Sequence, residues 1–405
     1  MHRDTVVVIG AGMAGLTAAA TAARAGRPVV VVEGHLGGGR ARTDERGGYR
    51  FNQGAHALYK GGAGWRVLSE LGVAHHGHMP QYRGARGSRD GRLVGLLGTP
   101  LATLIGRLLA ASPPKWAGRS ATEWIESLGG GPELTDLARM GTRVATYVAD
   151  LDHLPADLAI AQLKSGFRGV SYLDGGWTGL IEGLSSAARA AGATIRTHQA
   201  ATGIGAASGG WEVAMAGGET LPAASVVIAA GSPAAARDLL PVDPDWPELG
   251  PPVTAACLDL GLRGSCRGLV FGLDQPLYLS RHCPPGDLAP RGGAVVHVMR
   301  YGAREAAIDR AELRRHAGLA GITDDQIAEQ RFLANMVVTH VLPRPDQGLA
   351  GRPGVAVPGA DGVYLAGDWV GPTGWLVDAA LASGQQAGTL AAGAAARARS
   401  YPRVA

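Results

Sequence analysis

Thr5-Val6-Val7-Val8-Ile9-Gly10-Ala11-Gly12-Met13-Ala14-Gly15-Leu16 is the stretch on which the reading of this chain turns. Thr5 to Ile9 is an unbroken β-branched run, the pattern of a strand buried on both faces. It feeds a glycine turn, and Leu16 to Ala25 is an alanine-rich helix that ends at Gly26. A second buried strand, Pro28 to Val32, ends on Glu33. Strand, glycine turn, helix, strand and acid, in that order, spell a dinucleotide-binding unit. Gly10 permits the tight turn, Gly12 lets the backbone approach a pyrophosphate, and Gly15 lets helix and strand pack closely. The pyrophosphate would lie at the helix N-terminus, beside Met13 and Ala14, where unpaired amides and the helix dipole favour negative charge. Glu33 follows Gly15 by 18 residues, where a carboxylate accepts hydrogen bonds from an adenosine ribose.

Composition sets the bounds around that unit. With 405 residues, 46% apolar and 18% charged, the chain can bury a sizeable core and suits one or two domains. Its 63 glycines show no collagen-like period and fall mostly in loops. The net charge of +4 is spread along the chain, which argues against nucleic acid as a partner. Cys257, Cys266 and Cys283 are odd in number and lack metal-ligand spacing, so neither a disulfide framework nor a zinc site is expected. Met1 to Thr5 reads as a polar lead rather than a signal peptide, and the expected compartment is the cytoplasm. The apolar stretch Leu93 to Ala111 carries Pro100 and Arg107 and falls short of a membrane span of about 20 residues.

Directly after the acid comes Leu36-Gly37-Gly38-Gly39-Arg40-Ala41-Arg42-Thr43, and then Phe51-Asn52-Gln53-Gly54-Ala55-His56. At the other end, Gly362-Val363-Tyr364-Leu365-Ala366-Gly367-Asp368 is a short strand ending in Gly-Asp, and Trp375 to Thr389 has the pattern of a helix. A further strand and turn, Val226-Val227-Ile228-Ala229-Ala230-Gly231, lies between them. In these segments, taken in chain order, the chain resembles the FAD-dependent amine oxidase and phytoene desaturase superfamily. The resemblance implies an α/β fold: an FAD-binding Rossmann-like domain of the GR2 type with an inserted α+β substrate domain. The FAD-binding part would comprise residues 1–75, 169–241 and 350–405, and the substrate part 76–168 and 242–349. It also implies roles. Gly39 and Arg40 would contact the cofactor phosphate, and Gly54, Ala55 and His56 would line the flavin. Ala201 would lie over the adenine, and Ala230 and Gly231 would close the FAD domain. Gly367 and Asp368 would bind near the ribityl chain, and the helix start at Val377 would face the pyrimidine end, where its dipole favours negative charge.

The insertions speak to the substrate. Leu101, Leu104, Ile105, Leu108 and Leu109 form one apolar stripe, either packed on the substrate domain or lying on a membrane surface at a lipid entrance. Val253 to Leu262 reads as a strand of the substrate sheet. Many amine oxidases of the family carry a lysine on the equivalent strand. Here the only lysines are Lys60, Lys115 and Lys164, none of them in that region. Candidates for the substrate face are His56, Trp375 and His340, each with a structural reading beside it: a backbone-bonded histidine for His56 and core packing for Trp375. His75, His76 and His78 lack the carboxylate or cysteine partners of a metal site and read as a solvated loop. The expected activity is FAD-dependent dehydrogenation or desaturation of a small, largely apolar organic substrate. Amine oxidation is the second reading, and a non-redox lipid-binding escort on the same fold is the third.

Overall fold

In this computed structural model, residues 4–96, 98–302 and 309–400 are described. The lead Met1–Arg3 and residues 401–405 of the last expected stretch lie outside them. The valine runs become the centre of a five-stranded parallel sheet, in the order Thr194–Arg196, Val29–Val32, Val6–Ile9, Ser225–Ile228, Val363–Leu365. Val6, Val7, Val8, Val31, Val32, Val226 and Val227 are fully buried, as strands covered on both faces must be. Burial of each such side chain contributes roughly 1.5–3 kcal/mol. A three-stranded antiparallel meander, Ala201–Ala207, Gly210–Met215 and Thr220–Ala223, intervenes between the outermost strand and Ser225–Ile228.

The helix after the glycine turn spans Met13–Arg24, three residues longer at its start than the alanine pattern suggests, because Gly12 already serves as its N-cap. It packs against the C-terminal helix, Val377–Ser400. Small residues make that contact very close. A Cβ on Gly384 would overlap the Ala14 carbonyl, and one on Gly388 the Ala18 carbonyl. The C-terminal helix starts at Val377, not at Trp375, because Leu376 takes a left-handed φ of 55° and breaks the turn before it.

The second body is a seven-stranded mixed sheet, in the order Ile327–Thr339, Val253–Leu262, Ala294–Tyr301, Leu277–Cys283, Leu269–Gly272, Arg86–Arg89, Arg92–Val94. Val253–Leu262 is buried along its whole length and alternates by parity. Ala256, Leu258, Leu260 and Leu262 pack toward the helix Arg310–Leu319. Ala255 and Cys257 turn to the other face, where Ala55, Tyr147, Tyr278, Met299 and Tyr301 lie.

Helices Thr99–Ala110, Ala121–Ser127, Pro132–Thr146 and Ala156–Phe167 form a bundle beside this sheet. The apolar stripe of the first divides. Leu104 and Leu108 are buried, Leu101 and Ile105 are half-buried, and Leu109 is 65% exposed. The Lys164 ammonium donates to the carbonyls of Leu109 and Ala111 and so caps the helix end. Among the described residues, no helix is long and apolar enough to cross a membrane.

Candidate cofactor and substrate site

The glycine turn divides into packed and open positions. Gly10 has φ +107°, and a Cβ there would overlap the Ala229 carbonyl. A Cβ on Gly15 would overlap the Gly10 carbonyl. At Gly12 the same atom would meet nothing within 4 Å, and no side chain caps the helix that starts there. Gly39 and Gly231 are open in the same way. An uncapped helix end under a bare glycine is the cradle an anionic diphosphate occupies. Glu33 lies at the rim, its two oxygens accepting the amides of Ala11 (2.8 Å) and His35 (2.9 Å). Residues 198–201 run beside it, through hydrogen bonds from His198 to the His35 carbonyl and from Gln199 to the Glu33 carbonyl, so Ala201 stands at this end.

Arg40 and Asp368, drawn from opposite ends of the chain, meet at 3.0 Å. His340 joins them. Its amide donates to Asp368 Oδ2 (3.1 Å), its Nδ1 lies 3.0 Å from Asp368 Oδ1, and Arg40 also donates to the Val338 carbonyl (2.8 Å). Burial alone would raise the Asp368 carboxyl, but the Arg40 guanidinium and the His340 hydrogen bond outweigh it and hold the group well below the carboxylate range. Gly367 is fixed by Ser383 of the C-terminal helix, whose hydroxyl bonds both its amide and its carbonyl. Arg352, almost wholly buried, donates to the carbonyls of Asp368, Thr373 and Gly374 and clamps the loop that aims the C-terminal helix. Burial lowers its guanidinium to about 10.

The loop Gly54-Ala55-His56 lies between this region and the large sheet. The Tyr147 hydroxyl donates to the Ala55 carbonyl, and the Met336 thioether fills the space beside Gly54. The His56 ring stacks on Trp177 at 4.5 Å, and its Nδ1 is buried without a partner. Burial, with added push from His297 and Arg40, lowers its imidazole to about 3, so it is neutral at neutral pH.

On the sheet face that looks toward this loop, four polar side chains stand side by side on four adjacent strands: Ser280, His297, Asp259 and Arg331 are directly paired in register. The Asp259 carboxylate is wholly buried. It accepts from His297 Nδ1 at 2.5 Å, from the Cys257 thiol at 3.0 Å, and from Arg331 Nε and Nη2 at 2.8 and 2.6 Å. Arg331 also donates to Asp44 Oδ2 (2.6 Å) and to the Asn52 carbonyl, which ties the row to the strand that leads into the Gly54 loop. Desolvation would raise Asp259, yet His297 and Arg331 hold it below its ordinary value. The Cys257 thiol is pushed far up by burial and by Asp259. Beyond the row, His282 bonds Ser280 (3.1 Å) and stacks on Tyr172 at 3.6 Å, and burial keeps its imidazole neutral.

The sequence-predicted positions therefore separate. The expected cofactor residues of the glycine turn, with Glu33 and Ala201, collect at one end of the parallel sheet. Gly39, Arg40, Gly367 and Asp368 form the next group, and Gly54 and Ala55 face the polar row. Ala230 and Gly231 follow the strand Ser225–Ile228, where the Gly231 carbonyl accepts the Trp369 indole N–H (2.6 Å). Val377 begins the C-terminal helix. The catalytic expectation for Trp375 is corrected. This side chain is 1% exposed, packs in the helical core and donates to the Thr146 carbonyl (3.0 Å). His340 bonds Asp368 and Arg40 rather than lining the row. His75 and His78 lie apart, His75 against Trp65 and His78 beside Asp174.

The sequence reading passed over Asp259, His297, His282, Arg331 and Arg352. Its available signal was parity: Asp259 is the single charge in a ten-residue apolar strand, and His297 interrupts Ala294-Val295-Val296-His297-Val298-Met299. Charges in such strands are rare unless paired.

Comparison with known proteins bears on the first of these regions and on the fold. Residues 8–71 match the family model of the NAD(P)-binding Rossmann-like domain. A phytoene desaturase from Cercospora nicotianae is 42% identical over 73 residues, which are 18% of this chain and 12% of the length of that protein. The crystal structure of an oxidoreductase from Methanosarcina mazei superimposes with a TM-score of 0.73 at 20% identity, over 94% of this chain and 99% of its own. Cyclohexylamine oxidase from Brevibacterium oxydans gives 0.69 at 17% identity, over 98% and 99%. Over 94% or more of its length the chain shares its fold with these two solved structures, and its residues 8–71 match the NAD(P)-binding Rossmann-like domain.

Proposed function

We propose that this protein is an FAD-dependent oxidoreductase that dehydrogenates a small organic substrate at the face of its large sheet. The observation that carries the reading is the open cradle: a bare Gly12 over an uncapped helix, with Glu33 at one end of the same edge and the Arg40–Asp368 pair at the other. These residue types match the groups of FAD. The amides about Gly12, Met13 and Ala14 suit the diphosphate, and Glu33 suits the ribose. Gly39 and Arg40 stand on the phosphate side, Asp368 suits the ribityl hydroxyls, and the helix start at Val377 suits an electron-rich ring. When bound, FAD supplies a two-electron acceptor.

The chain's own part is to bind, orient and keep water out. Tyr147 fixes the Ala55 carbonyl, Arg352 fixes the loop before the C-terminal helix, and Tyr278, Met299, Tyr301 and Leu376 supply an apolar wall. On this reading residues 1–75, 169–241 and 350–405 would serve the cofactor, and 76–168 and 242–349 the substrate.

Dehydrogenation or desaturation of an apolar substrate remains the first reading, and amine oxidation the second. The second is favoured by the buried row. Its wholly buried Asp259 lies beside a face that carries Tyr147, Tyr278 and Tyr301, whose rings can receive a cation. A non-redox escort role has no use for Glu33, Arg40, Asp368 and an open Gly12 together. The test is the visible spectrum of the purified protein before and after incubation with FAD, followed by anaerobic addition of amines and polyenes. Oxidised-flavin bands are expected, bleached by one class. Protein that stays colourless after incubation with FAD sinks the proposal and leaves the binding role.

A further inference from the structure

The row Ser280–His297–Asp259–Arg331 is more than sheet packing. Asp259 accepts from three side chains and is acceptor-only while ionised, so the hydrogen on His297 must sit on Nδ1. Nδ1 is thus committed to Asp259, and Nε2 is the ring nitrogen left to meet a substrate. His297 is completely buried, and its Nε2 has no partner. Two further buried polar atoms without partners belong to the same face or to the loop before it: the Tyr301 hydroxyl and His56 Nδ1. Three such atoms gathered at one face call for a common partner, whether water, an ion or a ligand group. Cys257, Asp259 and His297 also bring their donor atoms within 4.8 Å of one another, the spacing of a cation site. The Arg331 guanidinium already grips Asp259 Oδ2 through two nitrogens and supplies the positive charge that a metal would bring.

We infer that His297 Nε2 accepts a proton from the substrate, with Asp259 as its positioning residue, and that the substrate bears an N–H or O–H group on the carbon that is oxidised. This rests on the oxidoreductase reading above. In the step, the C–H bond would break with its electron pair leaving as hydride, for which FAD, when bound, would be the two-electron acceptor. The N–H or O–H bond breaks, its proton passes to His297 Nε2, and its electrons form the new C=N or C=O bond. Asp259 balances the imidazolium so formed, and Arg331 holds the Asp259 carboxylate in place. A hydrocarbon offers no proton at that point and leaves Nε2 unpaired.

The test uses the full chain, reconstituted with FAD and labelled with 15N at histidine, and His297→Gln identifies the resonance by its loss. The expected signature in the native protein is an Nδ1-bound hydrogen shifted downfield by the Asp259 bond. The Nε2 resonance is expected to move on addition of ethylamine, cyclohexylamine, benzylamine or the matching alcohols, and to stay still with cyclohexene or toluene. With whichever compound bleaches the native flavin, His297→Gln is expected to slow the bleaching by about 10²–10³-fold at unchanged flavin content. An Nε2 resonance that no amine or alcohol moves, equal movement with the hydrocarbons, or native bleaching in His297→Gln overturns the assignment. Protein that holds no flavin overturns the functional reading instead, and the Nδ1 signature can still be read on it.

Discussion

The glycine turn and the polar row solve opposite problems. At the turn, recognition is left to the backbone and to space: Gly10 and Gly15 are packed so tightly that no side chain fits, while Gly12 faces open volume. At the row, recognition is left to side chains, and a carboxylate is taken completely out of water against a guanidinium, an imidazole and a thiol. Backbone recognition costs little, since helix-end amides are unpaired in any case. Burial of Asp259 costs several kcal/mol of desolvation, repaid only while every partner stays in place. The row should therefore be the brittle region and the turn the tolerant one, with tolerance varying glycine by glycine.

The sharpest way to break that contrast is Arg331→Leu. It strands Asp259 in the sheet interior, and the expected loss is about 3–5 kcal/mol, measured as a shift in the urea midpoint. Adding Asp259→Asn should recover part of it, because no buried charge is then left unpaired while His297 keeps an acceptor. A single variant as stable as the native protein means that the row is not the ion pair described. Trp375→Ala comes next. Since this indole fills the helical core, we expect about 3–5 kcal/mol of lost stability with flavin content spared. Intact stability with altered turnover would move Trp375 back to the substrate face.

The two glycines sharpen the other side of the comparison. Gly15→Ala forces a Cβ into the Gly10 carbonyl and should cost about 1–3 kcal/mol. Gly12→Val should leave the stability of cofactor-free protein within about 0.5 kcal/mol, because its φ of −87° suits any residue and the space is open. Flavin retention should nevertheless vanish. A yellow Gly12→Val protein would remove the cradle from the proposal, and a destabilised one would mean that the space is not open.

How far the sequence could be read follows the same divide. Strand, turn, helix and acid lie within Thr5 to Glu33, so each physical requirement meets its residue locally, and the fold was legible from them. The four members of the row come from strands separated by up to 72 positions, as Asp259 is from Arg331, and only pairing register brings them together. Parity could have flagged Asp259 as odd but not named its partners. Trp375 misled for a related reason. Its place before the C-terminal helix suggested the cofactor side, yet the left-handed Leu376 turns the chain there, and no local pattern announces a positive φ at leucine.

Asp368 and Asp378, ten residues apart, carry the comparison to its finest scale. Both are buried, but Asp368 has Arg40 and His340, while Asp378 has one amide, that of Gly64 at 2.7 Å. Burial therefore wins at Asp378 and lifts its carboxyl from 3.8 to about 6. The signs are opposite. Asp368, held below its ordinary value, contributes stability that is present above that value and lost as pH falls. Asp378 contributes nothing below pH 3.8, where it is protonated folded and unfolded alike. Between 3.8 and 6 the folded chain keeps a proton that the unfolded chain has released, so stability falls as pH rises, and above 6 the full cost remains. Asp378→Asn keeps the acceptor for Gly64 and removes the charge. Melting temperatures from pH 4 to 7 should then lose this downward contribution, leaving the variant a few degrees at most above the native protein at neutral pH. Native and variant curves that stay parallel would mean that Asp378 is solvated, and that the contact between the C-terminal helix and the Gly62–Gly64 turn is looser than the geometry requires.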